Sequence, residues 1–84
     1  MKSGIYTIYD EAADEYGPVF TAKNDAVAQR QFNQLMKTVE YPAEFELYKV
    51  GDFDSENYEE PMSVCVPEEV YNGLKFEKEI IDNE

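Results

Sequence analysis

The sequence contains no histidine, and this absence removes a large group of chemistries. Histidine is the usual general base near neutral pH, a member of most serine and cysteine triads, and a common zinc ligand. Catalysis would then depend on carboxylates, lysine or tyrosine. The glycines are scattered singly, at Gly4, Gly17, Gly51 and Gly73, so neither a phosphate-binding loop nor a dinucleotide fingerprint is present. We therefore expect no enzyme, no catalytic residues and no cofactor.

Cysteine is nearly absent as well. The single thiol, Cys65, cannot form an intrachain disulfide, which excludes a disulfide-stapled secreted scaffold and favours a reducing cytoplasm. Because no histidine is available to activate it, Cys65 is predicted to be a buried packing thiol. No run of about 18 apolar residues occurs, so the sequence indicates neither secretion nor a membrane span.

Positive charge is also scarce. Seven Lys plus Arg stand against 19 Asp plus Glu, which gives a formal net charge of -12. This charge opposes direct binding to phosphate backbones, because such affinity comes mainly from basic side chains, and it favours cationic or neutral partners. Hydrophobic residues nevertheless make up 43% of the 84 residues, which is enough for one folded domain with a modest core.

Strand-forming composition recurs along the chain and predicts a ββαββ order. β-Branched and aromatic residues, or strict alternation, mark four segments: 4–9, 19–22, 45–50 and 62–66. The first two are expected to pair as a loose hairpin across an acidic loop at 10–17. Gly51 permits a bulge or bend after the third strand.

One amphipathic helix is predicted between the second and third strands, at 25–40. Asn24 is a good N-cap, Asp25 complements the positive end of the helix dipole, and Pro42 prevents continuation. Five apolar side chains at helical spacing should face the sheet: Ala28, Phe32, Leu35, Met36 and Val39.

The C-terminal part is less regular. Pro67 followed by a late Gly73 predicts one short helical turn at 67–73. Residues 74–84 form an acidic tail that either builds a helix face or frays. The predicted fold is a small α+β domain at 1–73, with an antiparallel sheet, one amphipathic helix packed on one face, and this tail.

The strongest metal candidate is the run from Asp52 to Glu56, which has the oxygen-ligand spacing of a calcium loop. The sixth position of such a loop should be glycine and is Asn57, and the twelfth should be glutamate and is Ser63. We therefore interpret the run as a solvated turn and predict no metal site, with weak adventitious divalent binding as the alternative.

Basic residues suggest one candidate binding surface. Lys23, Arg30 and Lys37 are spaced seven apart, which places Arg30 and Lys37 on one side of the predicted helix with Lys23 near its start. They either contact phosphate or a partner, or they are solubilising charges on an exposed face.

Tyrosines form a second constellation: Tyr6, Tyr9, Tyr48, Tyr58 and Tyr71. Of these, Tyr6, Tyr9 and Tyr48 lie in the predicted strands and are the candidate binding residues. Strand tyrosines can stack bases or anchor a protein interface, or they can simply pack at the rim of a small sheet.

Several short motifs resemble the small nonstructural protein of gokushoviruses, single-stranded DNA phages of the Microviridae. They are the strand Ile5–Asp10, the turn Gly17–Phe20, the helix opening N-D-A-x-A-x-R at 24–30, and the strand L-Y-x-x-G-x-F-D at 47–54. The resemblance covers roughly residues 4–73.

This resemblance implies a phage protein that is made in the host bacterial cytoplasm and is absent from the virion. The family is described as DNA-binding, with a part in genome replication or in the switch to single-strand DNA synthesis and packaging. The sequence pI of about 4.2 conflicts with strong DNA binding. We therefore expect a phage or host replication protein as the partner, with any weak single-stranded DNA contact confined to Lys23, Arg30 and Lys37.

Two further interpretations remain open. The carboxylates could imitate DNA phosphates, so that the protein inhibits a host DNA-binding or defence protein. The exposed edges of a four-stranded sheet also allow a homodimer.

Overall fold

A computed structural model describes residues 1–82 and confirms the α+β class. The strands are β1 (Lys2–Asp10), β2 (Glu15–Tyr16), β3 (Phe20–Ala22), β4 (Phe45–Asp54) and β5 (Met62–Asn72). The helices are α1 (Asp25–Met36) and α2 (Gly73–Asp82), and a 3-10 turn spans Pro42–Glu44. None of the described helices combines the length and apolar composition needed to cross a membrane.

All strands belong to one antiparallel sheet with the order β2-β1-β4-β5, and β3 also pairs with β1. The predicted hairpin is confirmed as the β1–β3 pair, in which Ile5 lies opposite Thr21. In the centre of the sheet, Ile8 of β1 lies opposite Leu47 of β4. β5 is therefore an outer strand, and among the strands of residues 1–82 it pairs with β4 alone.

Helix α1 begins as predicted, because the Asn24 side chain accepts a hydrogen bond from the Val27 backbone N–H at 3.0 Å. Its end was predicted wrongly: the helix stops at Met36 rather than at residue 40. The backbone N–H and the hydroxyl of Thr38 both donate to the Leu35 carbonyl, at 2.9 and 2.7 Å. This local bonding competes with continued helix, as is typical of threonine.

The core lies between the helices and one face of the sheet, which we call the covered face. Its fully buried side chains include Tyr6, Phe32, Met36 and Leu47. Leu35 was expected here but is 44% exposed, because the apolar stripe of α1 is wider than its contact with the narrow sheet. Since side chains alternate along strands, the strand residues on either side of Tyr6 and Leu47 point to the opposite face of the sheet, which we call the open face.

The segment 67–73 was predicted as a helical turn and is instead the end of β5 as far as Asn72. Pairing shifts from Lys49 opposite Glu68 to Gly51 opposite Val64, so residues 65–67 bulge against the single residue Val50. Proline is tolerated at a bulge of an edge strand, where its missing N–H breaks no ladder bond. The same shift confirms the bulge predicted near Gly51.

The chain after β5 folds back onto the domain. Of the two alternatives for residues 74–84, the helical one holds through Asp82, while Asn83 and Glu84 lie outside the described residues. Phe76 is buried in the core cluster, so the compact unit extends past residue 73. Gly73 is required at the start of α2, because a Cβ there would collide with the Pro42 carbonyl.

Candidate binding surfaces

Three tyrosines form a cluster on the open face, near the end of the sheet that carries the β1–β2 turn. The ring centroids are 5.1 Å apart for Tyr9 and Tyr16, 5.9 Å for Tyr16 and Tyr48, and 6.5 Å for Tyr9 and Tyr48. The sequence indicated Tyr9 and Tyr48 but not Tyr16, which was assigned to a loop. Tyr16 lies directly opposite Tyr9 in the β1–β2 register.

Carboxylates surround this tyrosine cluster. The Tyr9 hydroxyl donates to Asp14 and the Tyr48 hydroxyl donates to Glu46 at 2.7 Å. These hydrogen bonds are the main reason that the pKa of each tyrosine is raised to about 12. Glu69, opposite Tyr48, adds further negative charge. Aromatic faces beside carboxylates attract cations and repel phosphates.

The remaining tyrosines do not join the cluster. Tyr6 is only 1% exposed on the covered face, and its hydroxyl donates to Asp25 at 2.6 Å. Burial, followed by this hydrogen bond, raises the pKa of Tyr6. Tyr6 therefore offers no exposed surface for the binding role that the sequence suggested. Tyr71 is also buried, and Tyr58 is exposed in the acidic turn before β5.

The candidate basic residues are exposed but separate into two places. Arg30 and Lys37 lie on the surface of α1 and at its C-cap, whereas Lys23 lies in a cleft of about 520 Å³ at the start of the helix. Lys2 and Lys49 line the same cleft. They were missed because they come from strands that are distant in sequence.

The lysine cleft also contains carboxylates that offset its charge. Asp25 accepts the Tyr6 hydrogen bond, and Asp52 lies 3.2 Å from the Lys49 amino group. The hydrogen bond to Asp52 is the main cause that raises the pKa of Lys49. Three lysines and two aspartates leave only a small positive excess.

The former calcium candidate is a turn held by its own contacts. The Asp54 carboxylate accepts the Glu56 backbone N–H at 3.1 Å. The amino group of Met1 lies 3.8 Å from Asp54 and 3.3 Å from Glu56. Within residues 1–82, no three His, Cys, Asp or Glu side chains are arranged to hold a metal ion.

An apolar strip is exposed on the outer strand, and we call residues 62–66 the β5 strip. Val64 is 88% and Val66 is 83% exposed, and Met62 is also exposed. Cys65 was predicted to be buried and is exposed, with its sulfur 3.8 Å from the Lys49 carbonyl. The prediction failed because β5 is an edge strand and the helices cover the other part of the sheet.

Negative charge flanks the β5 strip on both sides. Glu59 and Glu60 precede it, Glu68 and Glu69 follow it, and no Lys or Arg occurs between Lys49 and Lys75. Pro61 and Pro67 bracket the strip. The charge-free run between two prolines was visible in the sequence and indicated a strand, but alternation alone could not show that its apolar side chains would remain uncovered.

Comparison with protein-family models matches residues 3–76 to the family described as Phage ORF5 protein. The matched region contains the tyrosine cluster, the lysine cleft except for Lys2, and the whole β5 strip. No curated protein and no solved structure matches the chain.

Proposed function

The chain belongs to the Phage ORF5 protein family, and from this premise we propose that it is a nonstructural accessory protein that acts by binding a protein partner. The partner is a phage or host protein of genome replication, or of the switch to single-strand DNA synthesis and packaging. We propose that the chain comes from a gokushovirus-type phage and acts in the host bacterial cytoplasm, without catalytic activity of its own.

The observation that carries the proposal is the exposed β5 strip. Val64 and Val66 have almost their whole side chains in water, next to the exposed Met62, in a strand of a folded sheet. A contiguous exposed apolar patch with a polar rim is typical of a protein interaction site. The glutamates at both ends of the strip supply that rim.

Charge argues for a protein rather than DNA as the main ligand. The tyrosine cluster has the ring geometry of a base-stacking platform. The hydroxyls of Tyr9 and Tyr48, however, donate hydrogen bonds to carboxylates. Those carboxylates would repel the phosphates of a DNA strand that stacked on the rings. Direct contact with single-stranded DNA would then be weak and confined to Lys23, Arg30 and Lys37.

Capture from phage-infected cells tests the proposal. We expect tagged protein to recover an identified replication or packaging component, and Val64→Glu to abolish that recovery because it places a charge in the β5 strip. Val19→Glu is the matched control, since Val19 is an exposed valine directly before β3, at the edge of the sheet opposite β5. Recovery of no such component, or equal recovery with both variants, would contradict the proposal.

The alternative of a DNA-mimicking inhibitor receives less support from the distribution of carboxylates. The acidic turns at 10–15 and 54–60 lie at opposite ends of the β1–β4 pair, and other carboxylates lie between them, including Asp25 and Asp52 in the lysine cleft. At one end, the Met1 amino group already contacts Asp54 and Glu56. Titration of a single-stranded oligonucleotide across a salt series tests direct DNA contact: tight binding that weakens steeply with salt would favour direct DNA binding over a protein partner.

A further inference from the structure

We propose that the β5 strip binds an extended segment of the partner as an added β-strand, and that this segment has alternating apolar residues with Lys or Arg at both ends. This inference rests on the proposed function, because it names how the protein partner docks. It concerns the edge of the sheet rather than the tyrosine cluster or the lysine cleft.

The free edge of β5 can accept a strand. Within residues 1–82, β5 pairs with β4 on one side and with no strand on the other. The outward backbone N–H and C=O groups of an edge strand are available to an extended peptide. Residues 62–64, which precede the bulge at 65–67, are in regular pairing with β4 and extend for about 10 Å, at roughly 3.3 Å per residue. Pro61, Pro67 and the bulge end this free edge, so pairing stays short.

The side chains of the strip lack neighbours that an added strand would supply. Val64 lies opposite Gly51, which has no side chain, and Met62 lies opposite Phe53 on the same open face. The missing side chain at Gly51 explains why Val64 is 88% exposed within a paired strand. Apolar residues at alternate positions of a new strand would pack beside Met62 and Val64.

The flanking charges specify the ends of the segment. An added strand running along the strip places its two ends near Glu59 and Glu60 on one side, and near Glu68 and Glu69 on the other. Lys or Arg at both ends would complement these carboxylates and speed association.

The same charges disfavour a second copy as the occupant. Two edge strands related by a two-fold axis pair antiparallel. Pairing centred on Val64 would place Glu60 of one copy opposite Glu68 of the other, at both ends of the interface. Like charges directly opposite one another destabilise strand pairing.

Two synthetic peptides test the inference. Both have alternating Val and Thr in the middle; one carries two Lys at each end and the other two Glu. Titration followed by amide NMR should shift residues 62–66 with the Lys-ended peptide. We expect this peptide to bind at least about tenfold more tightly than the Glu-ended one at low salt. The difference should shrink as salt screens the charges.

Protein variants provide the controls. Val64→Glu should abolish peptide binding and Val19→Glu should preserve it. The double change Glu68→Gln with Glu69→Gln should reduce the preference for Lys ends. Equal affinity for the two peptides, or shifts confined to the tyrosine cluster, would overturn the inference. A dimer in sedimentation that Val64→Glu dissociates would also overturn it, because the occupant would then be a second copy.

Failure of the docking mode can be told from failure of the proposed function. If infected-cell capture recovers a replication protein through Val64 but neither peptide binds, strand addition is overturned and the proposed function stands. If the Lys-ended peptide binds at residues 62–66 but capture recovers no replication or packaging protein, the docking mode is supported and the proposed function falls.

Discussion

Leu47 of β4 and Val64 of β5 are aliphatic side chains in neighbouring strands of one sheet, yet Leu47 is 0% and Val64 is 88% exposed. The difference lies in what covers them. The helices pack on the sheet around Leu47, and Tyr71 stands opposite it. Val64 stands opposite a glycine with no helix over it. The covered face therefore stabilises the fold, whereas the β5 strip is available for binding.

The largest expected effect is on the covered face. Phe32 is fully buried and contacts Tyr71 edge to face, with ring centroids 6.0 Å apart. Phe32→Ala should lower the free energy of unfolding by about 3–5 kcal/mol, because it leaves a cavity. Urea denaturation followed by circular dichroism measures this change.

Leu35→Ala on the same helix is the matched control, because Leu35 is half-exposed over β3. It should reduce the free energy of unfolding by less than about 1 kcal/mol. Equal losses of unfolding free energy for the two variants would contradict the distinction between the buried and the exposed apolar residues of α1.

A smaller effect is expected at the start of α1. Asn24→Ala removes the side-chain acceptor of the Val27 N–H and should lower the free energy of unfolding by about 1 kcal/mol. Gln34→Ala, at an exposed position of the same helix, should have almost no effect. A larger loss for Gln34→Ala would show that the cap does not set the start of the helix.

The tyrosine cluster should respond to alkaline pH. Tyr9 and Tyr48 donate hydrogen bonds only while protonated, and their pKa values rise from 10.0 to about 12 on folding. Their contribution to stability is complete below pH 10 and is lost as pH rises from 10.0 towards 12. Tyr48→Phe should make the decline in unfolding free energy shallower. If the unfolding free energy falls equally steeply with pH for this variant and for the unmodified chain, the stabilising role of the Tyr48 hydrogen bond is contradicted.

The smallest expected effect on stability is in the β5 strip. Val64→Ser should change the free energy of unfolding by no more than about 0.5 kcal/mol, because almost the whole side chain is already in water. The same variant should bind the Lys-ended peptide more weakly. A loss of stability similar to that of Leu35→Ala or greater would show that Val64 is packed in the free protein.

Local signals in the sequence predicted the covered half of the fold well. The cap at Asn24 and the helical spacing of Ala28, Phe32 and Met36 identified α1 and its buried face. Alternation identified β4, and Gly51 indicated the bulge. These signals succeed because each depends on a few neighbouring residues.

The candidate surfaces were harder to predict, because they depend on how distant segments pair. Pro67 resembled a helix start until pairing with β4 placed it at an edge bulge. Tyr16 joined the cluster only through its register with Tyr9, and Lys2 and Lys49 joined Lys23 through the sheet. The exposure of Val64 required the knowledge that a glycine lies opposite it.

Amide hydrogen exchange, compared between the free protein and its complex with the captured partner, shows whether the β5 strip is the binding edge. Exchange should be rapid in the free protein at the amides of residues 62–66 that point away from β4, should slow markedly at these amides in the complex, and should not change at 45–48. Unchanged exchange at 62–66, with slowing at the tyrosine cluster or along α1 instead, would contradict the claim that the β5 strip is the binding edge.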